Sequence, residues 1–227
     1  MLLPKGCTYK NEYLAQSTML EQALKFFIVF FVVVEPISLI PVFSRLTEGA
    51  SDAYKHKMAL KSVLVASGIL LLFAVVGAGF LSAMGIAIDS FRIFGGLLLF
   101  LIALEMVFAR ESGTRTSNDE KAESMKRADI SVFPLAFPFM AGPGALTTLL
   151  LWFGPIPLTQ HPVQFLVMFS CALVVLVLCL FAMWVAGPLM RVIGVTGTNV
   201  ANRLFGVVLG ALAVQFVVDG LRASFFG

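Results

Sequence analysis

Within 26-FFIVFFVVVEPISLIPVF-43 a carboxyl group, Glu35, is followed at once by Pro36 and then by the Ser38 hydroxyl. A second apolar run holds 141-AGPGALTT-148, where Gly142, Pro143 and Gly144 precede the hydroxyls of Thr147 and Thr148. Both stretches contain residues that are costly in lipid. A charged side chain at a bilayer centre costs about 2.5 to 3.5 kcal/mol on insertion scales, and proline removes a backbone hydrogen bond that lipid cannot replace. The chemistry open to these groups is binding: a carboxylate takes up a proton or a cation, hydroxyls donate or accept, and an interrupted backbone presents amides and carbonyls. Glu35, Pro36, Ser38, Gly142, Pro143, Gly144, Thr147 and Thr148 are therefore the candidate substrate- or ion-binding residues. Gly142 and Gly144 permit positive φ and close backbone approach, and a half-helix starting there aims N–H groups and its positive dipole end into the same space. The plainer reading of Glu35 is a buried, neutral carboxyl filling a gap between helices.

Bond-making chemistry has no such foundation. The chain has no HExxH, no GxSxG, no phosphate-binding glycine loop and no histidine inside an apolar run. The expectation is a non-enzyme without cofactor or metal site.

The elements that must hold these residues follow from composition. With 59% hydrophobic and 13% charged residues and a mean hydropathy of +0.96, the chain is a polytopic membrane protein, since soluble domains are about half apolar and a quarter charged. Spanning the hydrocarbon core takes about 20 helical residues, and six runs qualify: 24–43, 62–84, 91–109, 131–153, 163–187 and 200–218. The expected organisation is an N-terminal extracytoplasmic segment at 1–23, a first three-helix unit at 24–109, a charged cytoplasmic linker at 110–130 and a second three-helix unit at 131–227. The N-terminus lacks the apolar stretch and cleavage site of a signal peptide and reads as retained. Lys and Arg near the span ends cluster on one side, at Arg45, Lys55, Lys57, Lys61, Arg110, Arg115, Lys121, Lys126, Arg127 and Arg191, so that side is cytoplasmic and both termini lie outside. The net charge of +3 reflects this topology, with no nucleic acid implied.

The two halves repeat. Pro36 and Pro143 are 107 residues apart (143 − 36), and 91-FRIFGGLLLFLIAL-104 aligns with 202-NRLFGVVLGALAVQ-215 at an offset of 111 (203 − 92). Three spans per half invert the second half relative to the first. The expected fold is all-α: six transmembrane helices in two inverted three-helix repeats, with broken first and fourth helices. Inverted repeats with matching interruptions point to a transporter-type site near the midplane.

Arg92 and Arg203 begin their spans, where a cation opposes the helix dipole and needs a partner. Asp89 can serve Arg92, and Asn199 or Asn202 can serve Arg203. Arg92, Arg203 and Asn202 are accordingly gating or structural residues.

The segments 33-VVEPISLIPVF-43, 91-FRIFGGLLLFLIALEM-106, 133-FPLAFPFMAGPGALTTL-149 and 199-NVANRLFGVVLGALAVQFVVDG-220 closely resemble the MarC family of integral membrane proteins, from about residue 22 onward. The resemblance implies a bacterial inner-membrane protein of six spans in the LysE-type transporter superfamily. Relatives often carry asparagine or aspartate where this chain has Glu35, and glycine where it has Ser38.

The sequence reading is thus a secondary transporter or exporter of an unidentified small solute, by alternating access around a midplane site between the repeats, with Glu35 coupling to protons or a cation. The alternatives are a channel, or a structural or regulatory membrane protein. The partners expected are the lipid bilayer and that solute, and the apolar outer surface is compatible with a homo-oligomer.

Overall fold

The computed structural model describes residues 19–108 and 129–226, and every regular element among them is helical. The charged linker, apart from Asp129 and Ile130, and the first 18 residues lie outside the described residues.

The first span is a broken pair. Helix α1 (Met19–Val34) is uninterruptedly apolar from Phe26 to its end, stops before Pro36, and resumes as α2 (Leu39–Leu46) at a bend of 43°. Helix α3 (Asp52–Ala83) starts on Ser51, whose hydroxyl accepts from Tyr54 N–H at 3.4 Å. It ends at Gly85, whose φ of +72° lets Ile86 N–H reach back to Leu81 C=O at 2.9 Å. That is the glycine-dependent C-cap which turns the chain sharply into α4 (Ile88–Phe108).

The second half opens on another broken pair. Segment α5 (Ser131–Met140) is a wide, π-type coil containing Pro134 and Pro138, with extended backbone at Phe133 and Phe137. After Gly142, helix α6 (Pro143–Phe153) departs at a bend of 55°. Two more helices follow, α7 (Pro162–Trp184) and α8 (Ala186–Phe226). Helix α8 is interrupted at Gly194, φ +66°, leaving Thr196–Phe225 as its apolar span.

Four helices are thus long and apolar enough to cross a membrane, and the two bent pairs make six spans if each counts as one. The order is the same in both halves: bent pair, long helix, long helix. Outward-facing Leu64, Leu72, Phe94, Val177, Phe181 and Leu204 are exposed, as expected of a lipid-facing surface.

The interior has two apolar cores. The larger joins α1, α2, α3, α5, α6 and α7 around Phe26, Phe30, Leu70, Leu135, Leu149 and Phe165. The smaller joins α4 and α8 through Leu99, Ile102, Ala103, Leu209 and Ala213, with Val32 and Val33 of α1 and Leu151 of α6 touching it. Glycines let α4 and α8 meet at backbone distance. A Cβ on Gly96 would lie 2.9 Å from Ala213 O, one on Gly206 3.1 Å from Ala103 O, and one on Gly220 3.0 Å from Asp89 O. These pairings run in opposite chain order, so the two helices are antiparallel. Without a hydrophobic force between helices in lipid, such close approach is what holds them together.

Gly96→Leu is therefore expected to destabilise the purified protein, by about 1 to 3 kcal/mol as overpacking does, in a thermal melt in detergent. Gly79→Ala, whose Cβ meets nothing within 4 Å, is expected to leave the melting temperature unchanged within a degree or so of measurement.

Candidate functional site: the two interrupted spans

Glu35 sits at the first interruption because α1 cannot pass Pro36 with its ladder intact. Its N–H still bonds Phe31 C=O at 3.0 Å, but its own backbone turns to φ +53°, the left-handed region that non-glycine residues rarely occupy. Ser38 N–H then closes a turn onto Glu35 C=O at 3.0 Å. A single residue held in this conformation costs of order 1 to 2 kcal/mol. Strain of that kind at a buried acid is an observation from which function is argued.

Glu35 is only 3% exposed, and it is the one acidic or basic side chain buried among the described residues. Ser38 Oγ lies 3.4 Å from Glu35 Oε2 and 3.2 Å from Asn202 Oδ1. Asn202 comes from α8, in the other half of the chain. The sequence predicts Asn199 or Asn202 as the partner of Arg203; in the structure the Asn202 amide oxygen faces Ser38, and Arg203 is exposed with no ion pair among the described residues. Arg92 does pair with Asp89, at 3.6 Å.

At the second interruption, Gly142 caps α6 in extended conformation (φ −76°, ψ 175°) and Pro143 begins the helix, where a missing N–H costs nothing. Positive φ is thus used at Glu35 and not in the 142–144 segment. What that segment requires of glycine is close approach: a Cβ on Gly142 would come 2.1 Å from Pro138 O, and one on Gly144 2.5 Å from Leu99 Cδ2. Thr148 Oγ donates back to Gly144 C=O at 2.9 Å, while buried Thr147 packs onto Gly95, whose Cβ would lie 1.9 Å from Thr147 Cγ2. In this conformation both threonines are engaged inside the protein.

A cleft of about 280 Å³, open mouth included, lies at this second break. Its walls are residues 142–145, Pro138 and Phe139 of α5, Val33 of α1, and Leu99 and Ile102 of α4. The last turn of α1 before Glu35 therefore faces the second break directly, and the cleft falls on the border of the two apolar cores. Its free space is on the scale of about one water molecule. Admitting a larger solute requires movement.

Two members of this arrangement went unread in the sequence. Asn202 as a partner of Ser38 carried no local signal. The doubled FPLA–FPFM spacing did: prolines four residues apart cannot both sit in a regular helix.

The start of α5 is fixed from outside the spans. Asp129 accepts from Ser131 N–H at 3.0 Å and pairs with Lys61 of α3. Hydrogen bonding to Lys61, and then to the Ser131 hydroxyl and N–H, holds its carboxyl well below the usual carboxylate range. No group of three or more His, Cys, Asp or Glu side chains placed to hold a metal ion occurs among the described residues.

These features define a polytopic α-helical membrane protein with two interrupted spans. A family model described as MarC family integral membrane protein matches residues 20–225, and the chain belongs to that family. It is 37% identical over 204 residues to the "UPF0056 membrane protein YhcE" of Escherichia coli (strain K12), covering 89% of this chain and 93% of the relative. It is 35% identical over 201 residues to "UPF0056 membrane protein YvbG" of Bacillus subtilis (strain 168), covering 88% and 93%. A "UPF0056 membrane protein" of Archaeoglobus fulgidus is 34% identical over 197 residues, covering 86% and 90%. No solved structure matches the chain.

Because the folded-state pKa of Asp129 is depressed, its stabilising contribution is present at neutral pH and is lost as pH falls below about 4, the ordinary carboxylate range. Asp129→Asn is expected to lower the melting temperature at pH 7, by no more than about 1 kcal/mol in stability for so exposed a pair. The difference from wild type should shrink toward zero as the melts are repeated at progressively lower pH.

Proposed function

We propose that the chain is a non-enzymatic secondary transporter or exporter of a small solute, in the inner (plasma) membrane with both termini outside. It works by alternating access around the two interruptions, and its halves are inverted repeats. The observation that carries this reading is that two spans are broken in matching places of the two halves and that the last turn of the first, through Val33, lines the cleft at the second break, on the border between two packed cores. Broken helices facing each other at the repeat interface are the recurring architecture of transporter sites. The antiparallel pairing of α4 with α8 fits a two-fold relation between the halves.

Glu35, Ser38 and the amides and carbonyls of the two breaks supply the polar contacts in the proposed cycle. Thr147 and Thr148 join them only if α6 shifts away from Gly95. A channel is less well supported, because the cleft is narrow and walled mainly by apolar groups.

Ala145 lines the cleft and is 3% exposed, so its reaction with a thiol reagent reports opening. Ala145→Cys, with the three native cysteines replaced by alanine, is expected to react with a membrane-impermeant maleimide added to either side of sealed vesicles. Reaction from one side only, or from neither, contradicts alternating access.

A further inference from the structure

We propose that Glu35, Ser38 and Asn202 form a binding site for a monovalent cation of sodium's size, completed by the broken end of α1. This deepens the transport reading, on which the ion's coupling role rests, while the binding itself does not depend on it.

The Ser38 hydroxyl has one hydrogen, yet its oxygen lies against two other oxygens, Glu35 Oε2 at 3.4 Å and Asn202 Oδ1 at 3.2 Å, so with Glu35 ionised only one of the two contacts can be a hydrogen bond. Both separations are long for O–H···O bonds, which centre at about 2.7 to 2.8 Å. They match instead the spacing of neighbouring oxygens in an octahedral shell. Ligands at about 2.3 to 2.5 Å from a cation of calcium's size sit about 3.2 to 3.5 Å from each other, and sodium has nearly that size. A carboxylate, a hydroxyl and an amide oxygen are the hard ligands that such an ion takes.

The backbone adds to this. Helix α1 ends at Val34, so its last carbonyls, the negative end of its dipole, face the break beside Glu35. Because residue 36 is proline, the carbonyl of Val32 has no helical N–H to bond. Unwound carbonyls at helix C-termini are the usual cation ligands of broken transporter helices.

Charge selects the valence. One carboxylate neutralises a monovalent ion, whereas a divalent ion would leave a net positive charge in an apolar interior. A second acid, Glu105 of α4, lies on the turn that packs on Gly206, one helical turn from Asn202, but it is partly exposed, whereas Glu35 is buried. Among the elements packed against this corner, α6 carries none and α7 carries only Cys171 and Cys179. Helix α8 carries Arg191, Arg203 and Arg222, all exposed, and Asp219, which is 17 residues (219 − 202) along the helix from Asn202, or about 25 Å. Arg45 of α2 is exposed too. Ser38 and Asn202 are partly exposed, so protein alone does not seal the site.

The ligand set draws on both halves, so the ion would bridge the first break to α8. Its release would loosen the contact between the two cores at that point.

The test is equilibrium binding of radioactive sodium to the purified full-length chain in detergent, with choline chloride holding ionic strength constant. Saturable binding that sodium displaces and choline does not is expected, with Asn202→Ala and Ser38→Ala each weakening it about tenfold or more. Asn202→Asp adds the second carboxylate and is expected to bind calcium, which wild type does not; this gain cannot come from misfolding. No saturable sodium binding in wild type, or unchanged affinity in Asn202→Ala, overturns the site. Sodium binding with one-sided labelling of Ala145→Cys supports the site and removes the transport reading. Two-sided labelling without sodium binding overturns the site and leaves the proton as the ligand of Glu35.

Discussion

Lipid offers no hydrogen bonds, and that constraint governs where this chain can break its helices. An interruption inside a span frees backbone amides and carbonyls at a cost of several kcal/mol for each unsatisfied group. It survives only where protein surrounds it. Both breaks obey this rule: the turn at Glu35–Ser38 is closed by its own hydrogen bonds and faces α8, and the Gly142 break is packed among α1, α4 and α5. The rest of the fold makes such a sheltered place. The glycine seam draws α4 and α8 together, the larger core gathers the other helices, and the cleft at the second break, with Val33 of the first span in its wall, lies where those bodies adjoin.

The same constraint explains what the sequence disclosed. Spans are legible because each must be a long apolar run, and the interruptions are legible because proline and glycine cannot hide within one. Pro36 and Pro143 mark the two bends within a residue or two. Membership of the MarC family was readable from 133-FPLAFPFMAGPGALTTL-149 and its companion segments. Other features were less accessible. The periodicity of 131–153 reads as a span, whereas α5 is a wide coil whose form depends on Asp129, Lys61 and two prolines acting together. Asn202 looked like a neighbour for Arg203 because sequence shows only the residues on its own helix. Its contact with Ser38, 164 residues away, is a product of tertiary packing.

Gly142 and Gly144 show how one residue type serves two physical ends. Sequence suggests the left-handed freedom of glycine, but the left-handed conformation falls on Glu35, and the glycines are needed for proximity to Pro138 and Leu99. A strained acid beside a proline, buried at 3% exposure, is the costlier arrangement. Its retention makes sense if the carboxylate does something that a well-packed apolar residue could not, because strain and buried charge are common where activity is selected above stability.

That claim is tested most directly by the melting temperature of Glu35→Gln beside wild type, in detergent at neutral pH with choline as the only monovalent cation. Glutamine keeps the shape and the contact with Ser38 while removing the charge. If Glu35 is held there for function, the variant melts at the same temperature as wild type or higher. If it melts several degrees lower, Glu35 is a structural group, and the interrupted first span is a packing device without a binding role.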